Sequence, residues 1–522
     1  MLTEPEPIAD ASLTTSCSAV LRLISSAFER PRHPMVTSAS IRRTSPWRVT
    51  GIVVAWIVLG ATGCSTPVLK QSVDVPSRFA AAAETASEPE IAWWESYGDP
   101  VLSELIRRAA YENRDIKIAA ERVRAARAGE TISRSRLFPS IGLAATGLYR
   151  DTGHSSEAKR SGLPDIKGAG AGVSVSWEVD IAGGLRAGAA AAAADTIAAE
   201  HGTRGVRLLV LSDIASNYFI LVGTLRQLET VRAIAAAHDD TLRLVTARAR
   251  VGLATPFDVE RAQTDASRAH AAIPPLETLA AVSRHRIAVL IGDQAFNAAA
   301  IVPWSGERVV PSASPGQPAA LLQRRPDLLG LEAQLQAANA RRRQAHAEWF
   351  PRLFLNALFG SETVNLNGIG LGAARFTNVF GLLAMPIFNA GRTRAINEIA
   401  ASGQREAVLH YEHGIVRALE DVENALVQVR DERQRNQTLQ TASASAEAAL
   451  GRAQSLYDRG QIDFLPLLDA QRTRLTVRVS SNDSDTQVLL DSVQLYKALG
   501  GGWEIFEPGK PPTVGALQSP HP

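Results

Sequence analysis

The sequence predicts an α+β fold in which one unit of long helices and two strands occurs twice. Helical periodicity extends over segments of about 40 residues, four shorter segments alternate apolar and polar residues, and landmark motifs of the first half recur in the second. A helix of about 40 residues is roughly 60 Å long, beyond the ordinary globular range, which indicates coiled coils or a helical tube.

The composition excludes several classes of protein. The 522 residues carry 55 basic and 53 acidic side chains, a net charge of +2, so charge does not indicate a nucleic-acid partner. The two cysteines, Cys17 and Cys64, form no CxxC motif, so we expect neither a disulfide framework nor a zinc site. GxSxG, GxxxxGK[ST] and HExxH motifs are absent. We therefore expect no enzyme activity, no cofactor and no metal.

The N-terminal region reads as a processing signal rather than as structure. After a tail at 1–34, Met35 opens a cationic segment that is followed by the apolar run 51–60, too short to span a bilayer but typical of a signal peptide. Ala-Thr-Gly-Cys ends this run at Cys64 and is typical of a bacterial lipobox. We predict that 1–63 are removed from a start at Met35, that Cys64 is acylated, and that 64–98 form a lipidated segment. A plain signal peptide with an incidental cysteine is the alternative.

The remaining chain is an internal duplication. Four landmarks recur in the same order about 206–212 residues later, and two generic coiled-coil segments would not explain this match. The pairs are Phe138-Pro139 with Phe350-Pro351, the glycine-ended alternating segments 173–184 with 376–391, Arg250-Val251-Gly252 with Asp458-Arg459-Gly460, and Ala262-Gln263 with Ala470-Gln471. We assign a first repeat at 99–295, a linker at 296–325, a second repeat at 326–503 and a tail at 504–522.

Each repeat contains long helices around two strands. Asp99-Pro100 supplies an N-cap and a first-turn proline, and Thr255-Pro256 begins another helix. We predict helices at 99–136, 186–250 (broken near Gly223) and 255–291, strands at 141–149, 173–179, 356–363 and 379–387, and exposed glycine- and serine-rich loops at 150–171 and 361–375.

The strands predict an oligomer. Ten residues is the length that a tilted strand needs to cross a bilayer, and strands exposed to lipid must close so that no edge stays unpaired. Four strands cannot close a barrel, whereas three chains would supply twelve. The soluble alternative is a pair of small hairpins capping a helical bundle.

At 91–503 the chain resembles the TolC-like outer-membrane efflux proteins, in particular the lipoprotein (NodT-type) branch that serves resistance-nodulation-division pumps. The motifs are Trp93-Trp94 with Asp99-Pro100, Leu322 to Asp327 followed by Phe350-Pro351, Tyr457 to Gly460 with Leu467 to Arg472, and Trp177 to Asp180. The resemblance implies a membrane channel: a homotrimer whose twelve strands form an outer-membrane β-barrel above a long-helix periplasmic α-barrel, with the linker and the mature termini at its equator. It also implies a passive conduit for small toxic molecules, with a periplasmic adaptor and an inner-membrane proton-driven pump as partners.

The same resemblance implies a functional role for the chain's two turns and for one aspartate. Asp469 matches the narrow periplasmic end of the channel, where three-fold symmetry would make a ring of carboxylates that selects cations. A solvated helix-surface aspartate is the alternative, and Pro466 stands where some relatives carry a second carboxylate. The tips that meet the adaptor would carry Arg250, Gly252, Asp458, Arg459 and Gly460, although Gly252 and Gly460 also suit helix C-termini in the left-handed conformation.

Other patterns favour structural roles. His410 and His413 lie three apart on a helix without a third ligand, Gly168 to Gly172 resemble a phosphate loop only in glycine content and precede a strand, and Asp327 suits the first turn of a helix. A lipid-anchored periplasmic adaptor is the competing function, but we find no lipoyl-like β domain. An envelope hydrolase would need a catalytic constellation that the sequence lacks.

Overall fold

A computed structural model describes residues 73–81, 90–162, 164–293, 309–311 and 315–507. The chain divides into two units, and every described residue belongs to the second, Thr66–Pro522. Cys64, the predicted signal region, most of the linker 296–325 and residues 508–522 of the tail lie outside the described residues.

The described residues form ten helices and four strands, apart from short 3₁₀ turns. The helices are α1 Pro100–Glu112, α2 Arg114–Ser135, α3 Ser156–Arg160, α4 Gly184–Arg250, α5 Pro256–Ala271, α6 Ile273–Leu290, α7 Leu321–Arg324, α8 Pro326–Ala347, α9 Arg392–Asp458 and α10 Phe464–Leu499. The strands are β1 Ser140–Arg150, β2 Ile166–Val179, β3 Arg352–Leu366 and β4 Ile369–Ala384.

The internal repeat is confirmed by its two longest helices. α4 and α9 each contain 67 residues, and their first and last residues are both 208 positions apart (184 and 392, 250 and 458). Each helix follows a glycine in the left-handed conformation, Gly183 with φ 76° and Gly391 with φ 88°. At 1.5 Å per residue each helix is about 100 Å long, so the repeat unit is an elongated rod.

The predicted break at Gly223 is wrong, because α4 continues through it. A Cβ atom at Gly223 would collide with the side chain of Thr486 on α10. The glycine therefore permits close packing of two helices, at some cost in helix propensity, and does not end a helix.

Two other helical segments are divided where one helix was predicted. Asn113 ends α1 and caps α2 by accepting a hydrogen bond from the Ile116 backbone N–H at 3.1 Å. The segment 255–291 divides at Ala272, because Pro274 and Pro275 lack the N–H groups that a continuous helix needs. The predicted caps are confirmed: Asp99 accepts hydrogen bonds at the start of α1, and Thr255 and Asp258 form a capping box at the start of α5.

The four strands form one antiparallel sheet in the order β1-β2-β3-β4, so the alternative of two separate hairpins is wrong. The strands contain 11, 14, 15 and 16 residues; they occupy most of the predicted loop 361–375 but only the two ends of the predicted loop 150–171. β3 and β4 are joined by Asn367 and Gly368 alone, both with positive φ, as a two-residue hairpin turn requires. Asn367 also accepts a hydrogen bond from the Asp165 backbone N–H at 2.8 Å, which ties this turn to the β1–β2 loop.

Gly168 to Gly172 lie inside β2, neither in a loop nor before the strand, and their function is to permit close approach. A Cβ atom at Gly172 would lie 2.6 Å from the Phe359 carbonyl oxygen, and one at Gly360 would lie 2.5 Å from the Ala171 carbonyl oxygen. Only glycine fits where the backbones of two strands come this close.

An aromatic cluster covers one side of the helical layer. Trp93 stacks on Tyr496 of α10 at 5.3 Å between ring centroids, and the Tyr97 hydroxyl lies 2.5 Å from the Ser492 hydroxyl. Trp503 of the C-terminal segment lies beneath the guanidinium of Arg204 on α4. α4 is the described helix that is long and apolar enough to cross a membrane, but 61% of its apolar stretch is buried inside the chain, as in a core helix.

Candidate functional site

The two faces of the sheet differ in chemistry. The register places Leu143, Val173 and Phe359 in one row across β1, β2 and β3, with Ile141, Val175 and Val379 in a neighbouring row of the same face. The opposite face mixes polar residues, among them Ser140, Ser176, Asn356, Asn378 and Glu362, with glycines, aromatic rings and aliphatic side chains such as Leu358 and Leu382. Leu143 is 90% exposed and Val379 is 71% exposed, so the apolar face has no cover within the described chain.

Both outer edges of the sheet are long and open. β1 and β4 each pair with one neighbour only among the described residues, and β1 is exposed along its whole length. An exposed apolar edge strand of this length is a template for pairing with another chain. The apolar outer face and the open edges together require a barrel in lipid that more than one chain completes.

The tips at the far end of the long helices are the same in both repeats. Gly252 has φ 77° and Gly460 has φ 70°, which confirms the predicted left-handed C-termini. The Leu253 backbone N–H donates to the Arg248 carbonyl and the Gln461 backbone N–H donates to the Leu456 carbonyl, both at 2.9 Å. Arg250, Asp458 and Arg459 are exposed around these turns.

The tip of the first repeat, the α4–α5 turn, carries exposed apolar side chains that we did not predict from the sequence. Val251, Leu253 and Phe257 are each at least 70% exposed and surround the α4–α5 turn. Their spacing carries no periodic signal, because they lie in a turn and the first turn of a helix.

Asp469 lies on α10, five residues after its first residue, Phe464. Its side chain is exposed, with no hydrogen bond or ion pair to the rest of the described chain. Pro466 lies in the first turn of α10, where its missing N–H breaks no helical bond. The structure therefore leaves the Asp469 carboxylate directed away from the protomer's packed interior.

Two contacts hold this end of α10 in place and a third joins α4 to the end of α9; the sequence predicted none of them. Arg472 forms a two-bond ion pair with Asp265 of α5 at 2.7 and 2.9 Å, and the Asp265 side chain is 5% exposed. Gln471 donates a hydrogen bond to the Thr241 hydroxyl at 3.0 Å, and the Arg248 guanidinium lies 4.4 Å from the Tyr457 ring centroid. Only tertiary packing brings residues more than 200 positions apart together.

The mid-chain motif, Leu322 to Asp327, connects three helices. The Arg325 guanidinium lies 2.8 Å from Asp327 and 3.0 Å from Asp421 of α9, and it donates to the Ala498 carbonyl of α10 at 3.2 Å. The arginine thus connects the start of α8 to α9 and to the end of α10. Burial acts to raise the pKa of Asp327, but the hydrogen bond and charge of Arg325, together with backbone hydrogen bonds, lower it overall.

The remaining candidates form no chemical centre among the described residues. The imidazole of His410 lies 3.6 Å from Glu406 one turn earlier, and no group of three or more potential metal ligands occurs in the described part of the chain. A groove of about 570 Å³ lies beside Arg325 and is lined by α8, α9 and residues 198–209 of α4. The groove is open and contains no nucleophile–base pair.

These features define a class of protein: a subunit of a channel that crosses the outer membrane as a β-barrel and continues on long helices into the periplasm. The chain belongs to the outer membrane efflux protein family, whose sequence pattern matches residues 105–293 and 318–501. The resemblance seen in the sequence is thereby confirmed.

Individual relatives agree with this assignment. The pyoverdine export outer membrane protein OpmQ of Pseudomonas aeruginosa is 32% identical over 88% of this chain and 98% of its own length. The probable outer membrane lipoprotein SilC of Salmonella typhimurium is 25% identical over 87% of this chain and 99% of its own. The solved structure of the outer-membrane channel OprN has a TM-score of 0.76 at 26% identity, covering 84% of this chain and 99% of that one.

The chain is therefore the outer-membrane channel subunit of a tripartite efflux system. It acts as a homotrimer together with a periplasmic adaptor and an inner-membrane pump, which confirms the predicted fold class, location and partners. Members of this family are channels.

Proposed function

We propose that three copies of this chain form one passive, water-filled conduit without enzyme activity, and that its narrow periplasmic end is lined by Asp469. The observation that carries this proposal is the sheet: one apolar face, two open edges and four strands, which only further copies can close in lipid. Because OpmQ is by its name an exporter of pyoverdine, small molecules are the class of cargo that we propose.

The Asp469 ring gains support from the position of its carboxylate. The side chain is exposed beside the tips and lacks a counter-charge in the described chain, so three-fold symmetry would bring three uncompensated carboxylates together. α10 is fixed there by the ion pair between Arg472 and the buried Asp265, which would hold the ring at a defined radius.

The tips are proposed to bind the adaptor. Arg250, Asp458 and Arg459 offer charge, and Gly252 and Gly460 give each turn its compact shape. Val251, Leu253 and Phe257 add an apolar patch that the described chain does not cover. Apolar side chains within a charged surround suit a protein partner.

The acyl group on Cys64 is proposed to hold the mature N-terminus in the outer membrane. The support is the lipobox in the sequence, together with the lipoprotein relative SilC. Multiple acylation of this cysteine would anchor the chain firmly, whereas a single acyl chain would bind membranes weakly.

A planar-bilayer recording tests the conduit and its aperture. The purified trimer should carry ionic current, and Asp469→Asn should lower the ratio of cation to anion permeability and weaken block by multivalent cations, because the ring loses its charge. Arg478→Gln, which removes a charge from the opposite side of the same helix, is the matched control and should change neither property. A wild-type trimer that does not conduct would contradict the conduit, and an unchanged Asp469→Asn channel would remove Asp469 from the aperture.

A further inference from the structure

The exposed residues of α10 beyond its first turn form one polar stripe. Asp469, Thr473, Thr476, Asp483, Gln487 and Gln494 are all exposed and follow one another at intervals of three, four or seven residues. This spacing repeats about every 3.5 residues, so the six side chains lie along one face of the helix. From Asp469 to the end of α10, Arg478 is the one exposed residue off the stripe.

The neighbours of α10 show which face this is. On one flank Asn482 donates to Gln227 of α4 at 2.9 Å, and on the other Ser484 donates to Glu432 of α9 at 2.5 Å. α10 is thus an inner helix of the protomer's wall, not its edge. Trp93 and Tyr97 cover the side that carries Tyr496 and Ser492, so the stripe lies on the uncovered side.

Two residues of the stripe are charged, and both are aspartates. Asp483 lies 14 residues above Asp469, which is about 21 Å along the helix axis. Arg435 of α9 is the cation whose charge acts on Asp483, but it forms its own ion pair with Glu432 at 2.8 Å. Partial burial raises the pKa of Asp483, and Arg435 opposes this rise.

We propose that Asp483 is a second cation-selecting residue of the channel, and that in the trimer three Asp483 carboxylates form a ring along the duct wall above the Asp469 ring. This inference rests on the proposed trimeric conduit. The stripe supports it independently of charge, because a wet duct needs a polar wall and this stripe contains nearly all the exposed polar residues of α10 from Asp469 onward. The second ring would lie 14 residues after Asp469. It is therefore distinct from the second carboxylate that some relatives carry at the position of Pro466, three residues before Asp469.

The distance between the two rings predicts independent effects. About 21 Å exceeds the Debye length of roughly 8 Å at physiological ionic strength, so the charge of one ring is largely screened at the other. Each ring should therefore contribute separately to cation selectivity.

Reversal potentials across a salt gradient at pH 8 test this inference, since a carboxyl with a raised pKa is more fully ionised there. Asp483→Asn should lower the cation-to-anion permeability ratio by about twofold or more, and the Asp469→Asn, Asp483→Asn double variant should lower it further than either single variant. Arg478→Gln should leave the ratio unchanged. Adding Thr476→Asp to Asp483→Asn should restore selectivity, because it returns a carboxylate to the same stripe.

The outcomes separate this inference from the proposed function. Wild-type trimers that fail to conduct would contradict the conduit itself. Conducting trimers in which Asp469→Asn lowers the ratio but Asp483→Asn does not would overturn the second ring alone. Unchanged trimer mass and single-channel conductance in Asp483→Asn would show that the variant is folded, because Asn keeps the size of Asp. A smaller conductance with an unchanged permeability ratio would also overturn the inference.

Discussion

At the scale of single residues, opposite environments distinguish the acids near the periplasmic tips. Asp265 is buried and its charge is met by the Arg472 guanidinium through two hydrogen bonds. Asp469 and Asp483 are exposed and meet no ion-pair partner in the described chain. The ion pair at Asp265 stabilises the packing of the helices. The exposed carboxylates of Asp469 and Asp483 can instead interact with ions that pass along the helix.

Replacing Arg472 should loosen the tip. Arg472→Ala would leave the buried Asp265 carboxylate without its cation, at a cost of about 1–3 kcal/mol, because Arg472 itself is partly exposed. Amide hydrogen exchange in 256–271 and 464–475 should become about tenfold faster or more. Arg478→Ala, on an exposed part of the same helix, is the control and should leave these rates unchanged. Equal protection in both variants would show that the ion pair does not hold α10.

Lipidation depends on one atom, the sulfur of Cys64. In cells given radioactive palmitate, the wild type and Cys17→Ser should be labelled, whereas Cys64→Ser should not, because only the lipobox cysteine would be acylated. Labelled Cys64→Ser protein would contradict the anchor, and loss of label in Cys17→Ser would move the site.

At the scale of elements, helices and sheet use glycine for the same purpose. Gly223 allows α4 and α10 to pack closely, and Gly172 and Gly360 allow β2 and β3 to approach each other closely. In sequence analysis, glycine is taken to interrupt helices and strands. For this reason we predicted a break in α4 and loops where strand residues lie. Close tertiary approach, not turn formation, selects glycine at these positions.

A side chain at Gly172 should prevent barrel closure. Gly172→Val would force a Cβ atom to within 2.6 Å of the Phe359 carbonyl oxygen, so β2 and β3 could not keep their register. The fraction of chain recovered as trimer from outer membranes should fall strongly. Gly147→Val is the matched control, because a Cβ atom there meets nothing within 4 Å and valine suits the lipid-facing side. Normal trimer recovery in Gly172→Val would contradict the role of close strand approach.

At the scale of the whole molecule, the architecture could be predicted from the sequence because it is repeated and its helices and strands are periodic. Matched landmarks such as Phe138-Pro139 and Phe350-Pro351 predicted the duplication, and α4 and α9 confirmed it with equal lengths. The caps at Asp99 and Thr255 were also predictable, since a cap is local chemistry.

What depends on packing between distant segments was not predictable. The ion pair between Arg472 and Asp265 joins residues 207 positions apart, and the stripe containing Asp483 emerges only once its neighbours on α4 and α9 are placed. The β2–β3 pairing that joins the two hairpins into one sheet likewise connects the two repeats. Asn367-Gly368 was a readable hairpin signal, obscured by the glycine-rich sequence around it.

One chain is an incomplete channel, and three copies complete it. The most direct test is the mass of the mature protein purified from outer membranes in a mild detergent, measured by native mass spectrometry after the detergent is removed. We expect an assembly of three chains, because four strands per chain leave two open edges that must pair. A stable monomer or dimer would contradict it.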